Sequence, residues 1–229
     1  MNKSLLFSLV SVQLRLAIFF SLPFIFFTSC QSPAVDAKEK AEPSPFSTGS
    51  YIVDADSSSL GWLGKKLTGQ HAGNVRIREG ALTVDSSGNL TDAHFVIDMQ
   101  TISCTDIADS ADNADLVSHL KDPDFFDVST FPIASFRMTD AKLGEKGRTE
   151  VNGLLTIKDK SNAQIIPATI VFKDSLLEVS AAFSIDRTRW GVVYNSLKTL
   201  GDKVKDRAID DDIRFTLHLI AKKKTTSGI

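Results

Sequence analysis

Ala93-His-Phe-Val-Ile-Asp-Met-Gln100 alternates covered and open positions with period two. Ala93, Phe95, Ile97 and Met99 fall on one face, and His94, Val96, Asp98 and Gln100 on the other, as a strand with one covered side requires. Similar runs occur at Val75-Arg-Ile-Arg78, Ala81-Leu-Thr-Val84 and Ile133-Ala-Ser-Phe-Arg-Met138, then over 151–157, 165–172, 176–185 and 213–221. Polar turns punctuate them at Ser86-Ser-Gly-Asn89, Gly144-Glu-Lys-Gly147, Lys158-Asp-Lys-Ser-Asn162 and Lys173-Asp-Ser175. About eight strands with short polar turns predict an all-β fold, an antiparallel barrel or sandwich. Val75, Ile77, Phe95, Ile97 and Phe136 are inward by alternation, which in a barrel means core or cavity wall.

One segment breaks the rhythm. Leu116 and Leu120 lie four apart and Pro123 sets a limit to helical structure, which predicts a short helix over 113–121 with Asp112 or Asn113 as N-cap. Phe125 and Phe126 then form an aromatic plug against the sheet, either lining a cavity or completing the core. The 26-residue stretch from Arg187 to Asp212 separates the last two strands, and loops of that length inside compact domains carry function or structure of their own.

The 229 residues are 42% hydrophobic and 24% charged, the profile of a globular chain. Residues 1–29 hold Lys3, Arg15 and no acid, so without them the balance moves from 26 basic and 28 acidic groups to 24 and 28. A weakly acidic body argues against nucleic acid as a partner, because phosphate neutralisation needs a basic stripe. Lys3 and Arg15 precede an apolar run of about 12 residues interrupted by Pro23, too short for a spanning helix of ~20 residues. Thr28-Ser-Cys30 follows, and small residues before a cysteine resemble the lipobox of bacterial lipoproteins, with Phe27 where Leu is usual. Residues 1–29 are thus read as a lipoprotein signal peptide and Cys30 as the lipid attachment site, against a plain secretory signal with an incidental cysteine. The Pro-containing stretch 30–49 is a flexible tether, 50–222 the folded domain and 223–229 a tail. Lipidation of Cys30 leaves Cys104 unpaired, so no disulfide is expected.

Enzyme signatures fail in turn. The chain contains no Gly-x-Ser-x-Gly elbow, phosphate loop or dinucleotide turn. Its four histidines lack paired zinc spacing, and Asp106, Asp109, Asp112 and Asp115 recur every third residue rather than at the alternate positions of a calcium loop. No catalytic residue, metal or cofactor is assigned.

Six stretches, in this order, resemble the YceI-like family: Tyr51-Ile-Val-Asp54, Gly69-Gln-His-Ala-Gly73, Ile97-Asp-Met-Gln-Thr-Ile102, His119-Leu-Lys-Asp-Pro-Asp-Phe-Phe-Asp127, Phe131-Pro-Ile-Ala-Ser-Phe136 and Ile185-Asp-Arg-Thr-Arg-Trp-Gly191. The resemblance covers roughly residues 50–222. It implies an extended, lipocalin-like antiparallel barrel, secreted or periplasmic, holding a polyisoprenoid or other long-chain amphiphile such as an isoprenoid quinone. A subgroup of the family carries a lipoprotein signal and a stretch like Leu200-Gly-Asp202. The chain departs from the pattern at Lys158-Asp-Lys-Ser161, where a Lys-Gly-x-Thr type of turn is usual.

Ligand contacts are then expected from Val75, Ile77, Phe95, Ile97, Phe125, Phe126 and Phe136. His71 and His119 are read either as head-group partners or as structural links. Arg187 and Asp186 beside Trp190 form either a polar cavity mouth or an ion pair within a turn. The expected partners are a hydrophobic small molecule and, through acylated Cys30, a membrane, with a homodimer left open. The expected location is the bacterial envelope, at the outer membrane facing the periplasm. A packed structural lipoprotein and a lipid-modifying enzyme are the rival readings.

Overall fold

Several apolar runs pair with a neighbour across a short polar turn, and in the computed structural model the strands close into one antiparallel barrel. The structure describes residues 48–144, 148–200 and 207–225. The signal peptide, Cys30, nearly all of the tether and the last residues of the tail lie outside the described residues.

The strands are β1 (Gly49–Val53), β2 (Ser59–Lys66), β3 (Gly69–Val84), β4 (Leu90–Cys104), β5 (Ile133–Leu143), β6 (Arg148–Ile157), β7 (Lys160–Lys173), β8 (Leu176–Asp186) and β9 (Ile209–Lys223). Helix α1 (Ser110–Lys121) follows β4, while a 3-10 turn (Arg187–Trp190) and a single helical turn α2 (Leu197–Leu200) precede β9. The nine strands make a barrel eight strands wide. β1 and β2 lie end to end between β3 and β9: β2 pairs with residues 69–75 and 209–218, and β1 with residues 81–84 and 221–223. The remaining neighbours run β9, β8, β7, β6, β5, β4, and β4 closes on β3. Closure pairs every strand on both sides over part of its length; between β4 and β5 the pairing is confined to 94–98 with 133–137.

Residues 75–78 and 81–84, read as two runs, belong to the single strand β3. A register shift between Ile77 and Glu79 adds a residue and reverses the alternation, so Ile77 and Leu82 both face inward. Helix α1 begins three residues earlier than the spacing predicts. Its N-cap is Asp109, whose carboxylate accepts from the Ala111 and Asp112 amides, whereas Asn113 donates to the carbonyls of Cys104 and Ile107. The β6–β7 turn has Lys158 and Asp159 at its centre with φ of 50° and 55°, the left-handed pair of a type I′ turn. Lys158 Nζ then donates to the carbonyls of Pro123 and Phe125 at 3.0 and 2.8 Å, so this turn pins the aromatic plug.

Inward side chains divide by height. At the end covered by β1, Tyr51, Leu82, Val84, Val151, Leu177 and Leu219 are buried and fill the barrel. Phe136 lies flat over β6 because Gly153 opposes it: a Cβ there would stand 2.3 Å from the Phe136 ring and 2.5 Å from the Arg137 carbonyl oxygen. Phe95 stacks on Phe136 at 5.3 Å and floors the space above.

Candidate functional site

Above that floor the barrel is hollow. A cavity of about 460 Å³ lies between β2, β4, β6, β8, β9 and the aromatic plug, within the size range of small-molecule sites. Its wall includes Leu60, Trp62, Met99, Leu155, Phe183 and Phe215. Phe183 and Phe215 stack at 5.4 Å across β8 and β9. Solvent reaches it where exposed Lys66, Gln70 and Arg207 ring the opening, with Lys65, His71 and Asn195 beside them.

Of the residues named from the sequence, Val75, Phe95, Ile97, Phe125, Phe126, His71 and Arg187 line this cavity. Ile77 and Phe136 do not. They are 1% and 2% exposed in the packed half, where inward means core. Trp190 is also no part of the mouth: it is fully buried and donates its indole N–H to the Leu155 carbonyl at 2.9 Å, outside the cavity lining. The tryptophan that faces the hollow is Trp62, whose indole N–H donates to the Ser103 carbonyl at 3.2 Å. Gly73 makes room for it, since a Cβ there would lie 1.8 Å from that carbonyl oxygen and 2.7 Å from the indole ring. The alternation of Leu60, Trp62 and Gly64 along β2 is the signal that marks Trp62 as inward.

Arg187 lines the cavity but is otherwise a clamp. Its guanidinium donates to the carbonyls of Asp210, Val192 and Ile209 at 3.0, 2.9 and 3.1 Å and stands 3.6 Å from the Asp211 carboxylate. The ion pair read as Asp186 with Arg187 is therefore Asp211 with Arg187. Asp186 accepts from the Thr188 amide and hydroxyl and pairs with Lys198. Burial pulls the Arg187 guanidinium below its usual pKa, with the Asp211 charge opposing. Burial also works against the Asp186 charge, yet the hydrogen bonds from Lys198 and Thr188 outweigh it and hold this carboxyl below its usual range. The Arg187 guanidinium carbon lies 5.9 Å from the centre of the Phe125 ring, tying the 3-10 turn after β8 to the plug.

The plug is an aromatic cluster. His119 meets Phe125 and Tyr194 edge-on at 5.0 and 4.6 Å, so it joins α1 to the long connection before β9 and lines the cavity as well. At the mouth, His71 Nδ1 lies 3.2 Å from Asp106, which also accepts from the Ala72 amide and the buried Cys104 thiol. Burial opposes the Asp106 charge, but these bonds, led by that of the Ala72 amide, lower its pKa. An imidazole fixed through Nδ1 leaves Nε2 as its second polar atom. Among the described residues, no cluster of three or more His, Cys, Asp or Glu could hold a metal ion.

Known folds share this architecture. BcnA of Burkholderia cenocepacia superposes with a TM-score of 0.59 at 20% identity, over 74% of this chain and 99% of that one. A polyisoprenoid binding domain from Saccharophagus degradans, implicated in plant cell wall breakdown, gives 0.54 at 14% identity over 78% and 100%. The Campylobacter jejuni YCEI protein gives 0.51 at 19% over 64% and 81%. No curated protein sequence matches the chain. The profile of the YceI-like domain matches residues 51–221, beginning within β1 and ending within β9, and so takes in both the packed half and the hollow one; the chain belongs to the YceI-like family.

Proposed function

We propose that this protein binds a polyisoprenoid or another long-chain amphiphile, one isoprenoid quinone or fatty chain at a time, and stores, shields or carries it at the bacterial envelope. The observation that carries the reading is the hollow half of the barrel. An apolar cavity of about 460 Å³ with its polar groups gathered at one end suits a molecule with a long tail and a small head. The Saccharophagus degradans domain of the same fold, described as polyisoprenoid binding, supports the choice of ligand class. An apolar wall favours binding over catalysis. It also argues against a fully packed structural barrel.

The same proposal includes a lipid anchor at Cys30 and a place at the outer membrane facing the periplasm, supported by the lipobox-like Thr28-Ser-Cys30. Two or more acyl chains anchor stably where one does not, at about 0.8 kcal/mol per buried methylene. A Cys30→Ser variant should leave the membrane fraction.

Native mass spectrometry of protein purified without detergent tests the ligand. The expected result is a noncovalent adduct with a long chain, and affinity that rises about tenfold per two methylenes until the tail outgrows the cavity. Equal affinity for short and long analogues would remove the carrier reading. Ligand entry should change the fluorescence of Trp62 in a Trp190→Phe background and leave Trp190 silent in a Trp62→Phe background.

A further inference from the structure

The rim of the cavity mouth is apolar at its tips and basic at its base. Leu67 is 74% exposed, the highest value among the exposed large hydrophobic side chains, at the two-residue turn joining β2 to β3, where Gly, Asn or Asp is usual. Lys66, the residue before it, pairs with Ile209, and Ile209 also bridges to Ser196. Leu197, the residue after Ser196, is 52% exposed, and exposed Val193 immediately precedes the cavity-lining Tyr194 and Asn195. Three exposed aliphatic residues thus belong to the chain segments that border the opening. Among the described residues, the cavity lining carries Lys65, Lys66 and Arg207 and neither Asp nor Glu, and these three cations have no ion-pair partner. Some cations elsewhere are paired, as Arg76 with Asp56, Lys173 with Glu178 and Lys222 with Asp54. Asp210, Asp211 and Asp212 lie opposite Lys65, between Ile209, which pairs with Lys66, and Ile213, which pairs with Gly64, and Asp211 faces Arg187.

We propose that this rim docks onto an anionic lipid bilayer, so that the cavity opens directly into the layer from which its ligand comes; the inference rests on the cavity being a lipid site. Aliphatic tips that enter the headgroup layer, with ammonium and guanidinium groups left at phosphate level, are the pattern of interfacial binding. A protein partner fits less well. A stable protein interface needs about 800 Å² per side around a buried apolar centre, and here the centre of the face is an opening.

The test uses the chain from residue 30 onward carrying Cys30→Ser, so that neither an acyl group nor the apolar signal segment holds it at the membrane, with Leu67→Trp as reporter and the same protein with Leu67 unchanged as the baseline for Trp62 and Trp190. Brominated phospholipids should quench the emission of the introduced tryptophan on vesicles of phosphatidylcholine with phosphatidylglycerol, and far less on phosphatidylcholine alone. Adding Lys65→Gln, Lys66→Gln and Arg207→Gln should raise the lipid needed for half-maximal quenching about a hundredfold, at about fivefold per cation. Absence of quenching, or quenching indifferent to lipid charge and to the three substitutions, overturns the proposal. A dimer that Leu67→Asn dissociates, with no quenching by lipid, also overturns it and gives the face to a second copy. Native mass spectrometry of the same sample separates the two readings: a bound long chain without quenching defeats docking alone, and quenching with no chain bound supports the docking surface while defeating the lipid cavity.

Discussion

The two halves of the barrel are built from the same strands and differ in what fills them. In the half covered by β1, Tyr51, Ile77, Phe136 and Leu177 are at most 2% exposed and belong to the buried core, with Gly153 admitting the Phe136 ring. In the half covered by β2, side chains equally inward and equally apolar stop short of one another around a cavity. Burial alone does not separate the two, since Phe95 at 7% and Phe136 at 2% are both inside. What separates them is whether the far side of the ring meets a neighbour atom or a void. A side chain facing a void gives up dispersion contacts that a ligand can restore.

Truncation should expose that difference most strongly. Phe136→Ala opens a new cavity in a packed region and is expected to cost about 3–5 kcal/mol with little change in ligand affinity. Phe183→Ala, which widens an existing hollow, should cost less than half as much while shifting the preferred chain length. Urea unfolding of both variants together with ligand titration checks this, and equal losses would erase the distinction between the halves.

Arg187 joins the hollow half to the long connection before β9. Replacing it by Met leaves the buried Asp211 carboxylate with only Lys198, at 4.0 Å, and three carbonyls without a donor, so a loss of about 3 kcal/mol is expected. Arg187→Lys should recover only part of it, because an ammonium cannot serve three carbonyls in one plane. Thermal melts of the two variants supply the comparison.

A smaller effect is expected at the plug. Lys158→Met removes two hydrogen bonds to the carbonyls of Pro123 and Phe125, worth about 1 kcal/mol together. The substitution should act on the hollow half alone, as faster amide exchange in residues 119–128 and faster ligand release, with exchange in the packed half unchanged.

The smallest effect is acid sensitivity. Asp186 and Asp106 have folded pKa values below the ordinary carboxylate value, so their contribution is complete above about pH 4, the unfolded value, and fades as pH falls through the folded one. Asp54, bonded to Lys222 beside the packed half, behaves in the same sense. Unfolding midpoints should therefore drop on acidification below about pH 4, and Asp186→Asn should flatten part of that drop. An unchanged pH profile in Asp186→Asn would show that its pairing with Lys198 adds nothing to stability.

Much of the fold is legible in the stretch 93–100. Period-two alternation says that β4 has an inward face and names Ala93, Phe95, Ile97 and Met99 on it, all of them buried. The short helix is visible in Leu116 and Leu120, although its start is not, because Asp109, Asp112 and Asn113 are all competent caps and the geometry of the chain after Cys104 selects among them. Trp190 reads as an amphipathic ring next to a charged pair, and nothing local reveals that its N–H points at the Leu155 carbonyl on another strand.

By itself the sequence determined most of the antiparallel strands, though not β1 and β2, together with their inward faces, the plug and the family, because alternation, turn chemistry and motifs are properties of a few consecutive residues. The tertiary structure alone decided that Val75 faces a cavity while Ile77, two residues on, is core, that β1 and β2 share one place in the barrel, and that Asp211 rather than Asp186 faces Arg187. The reason is geometric. Alternation fixes a side, whereas filling depends on the combined reach of side chains that eight strands bring to one height, and β2 and β9, distant in sequence, become neighbours only when the barrel closes.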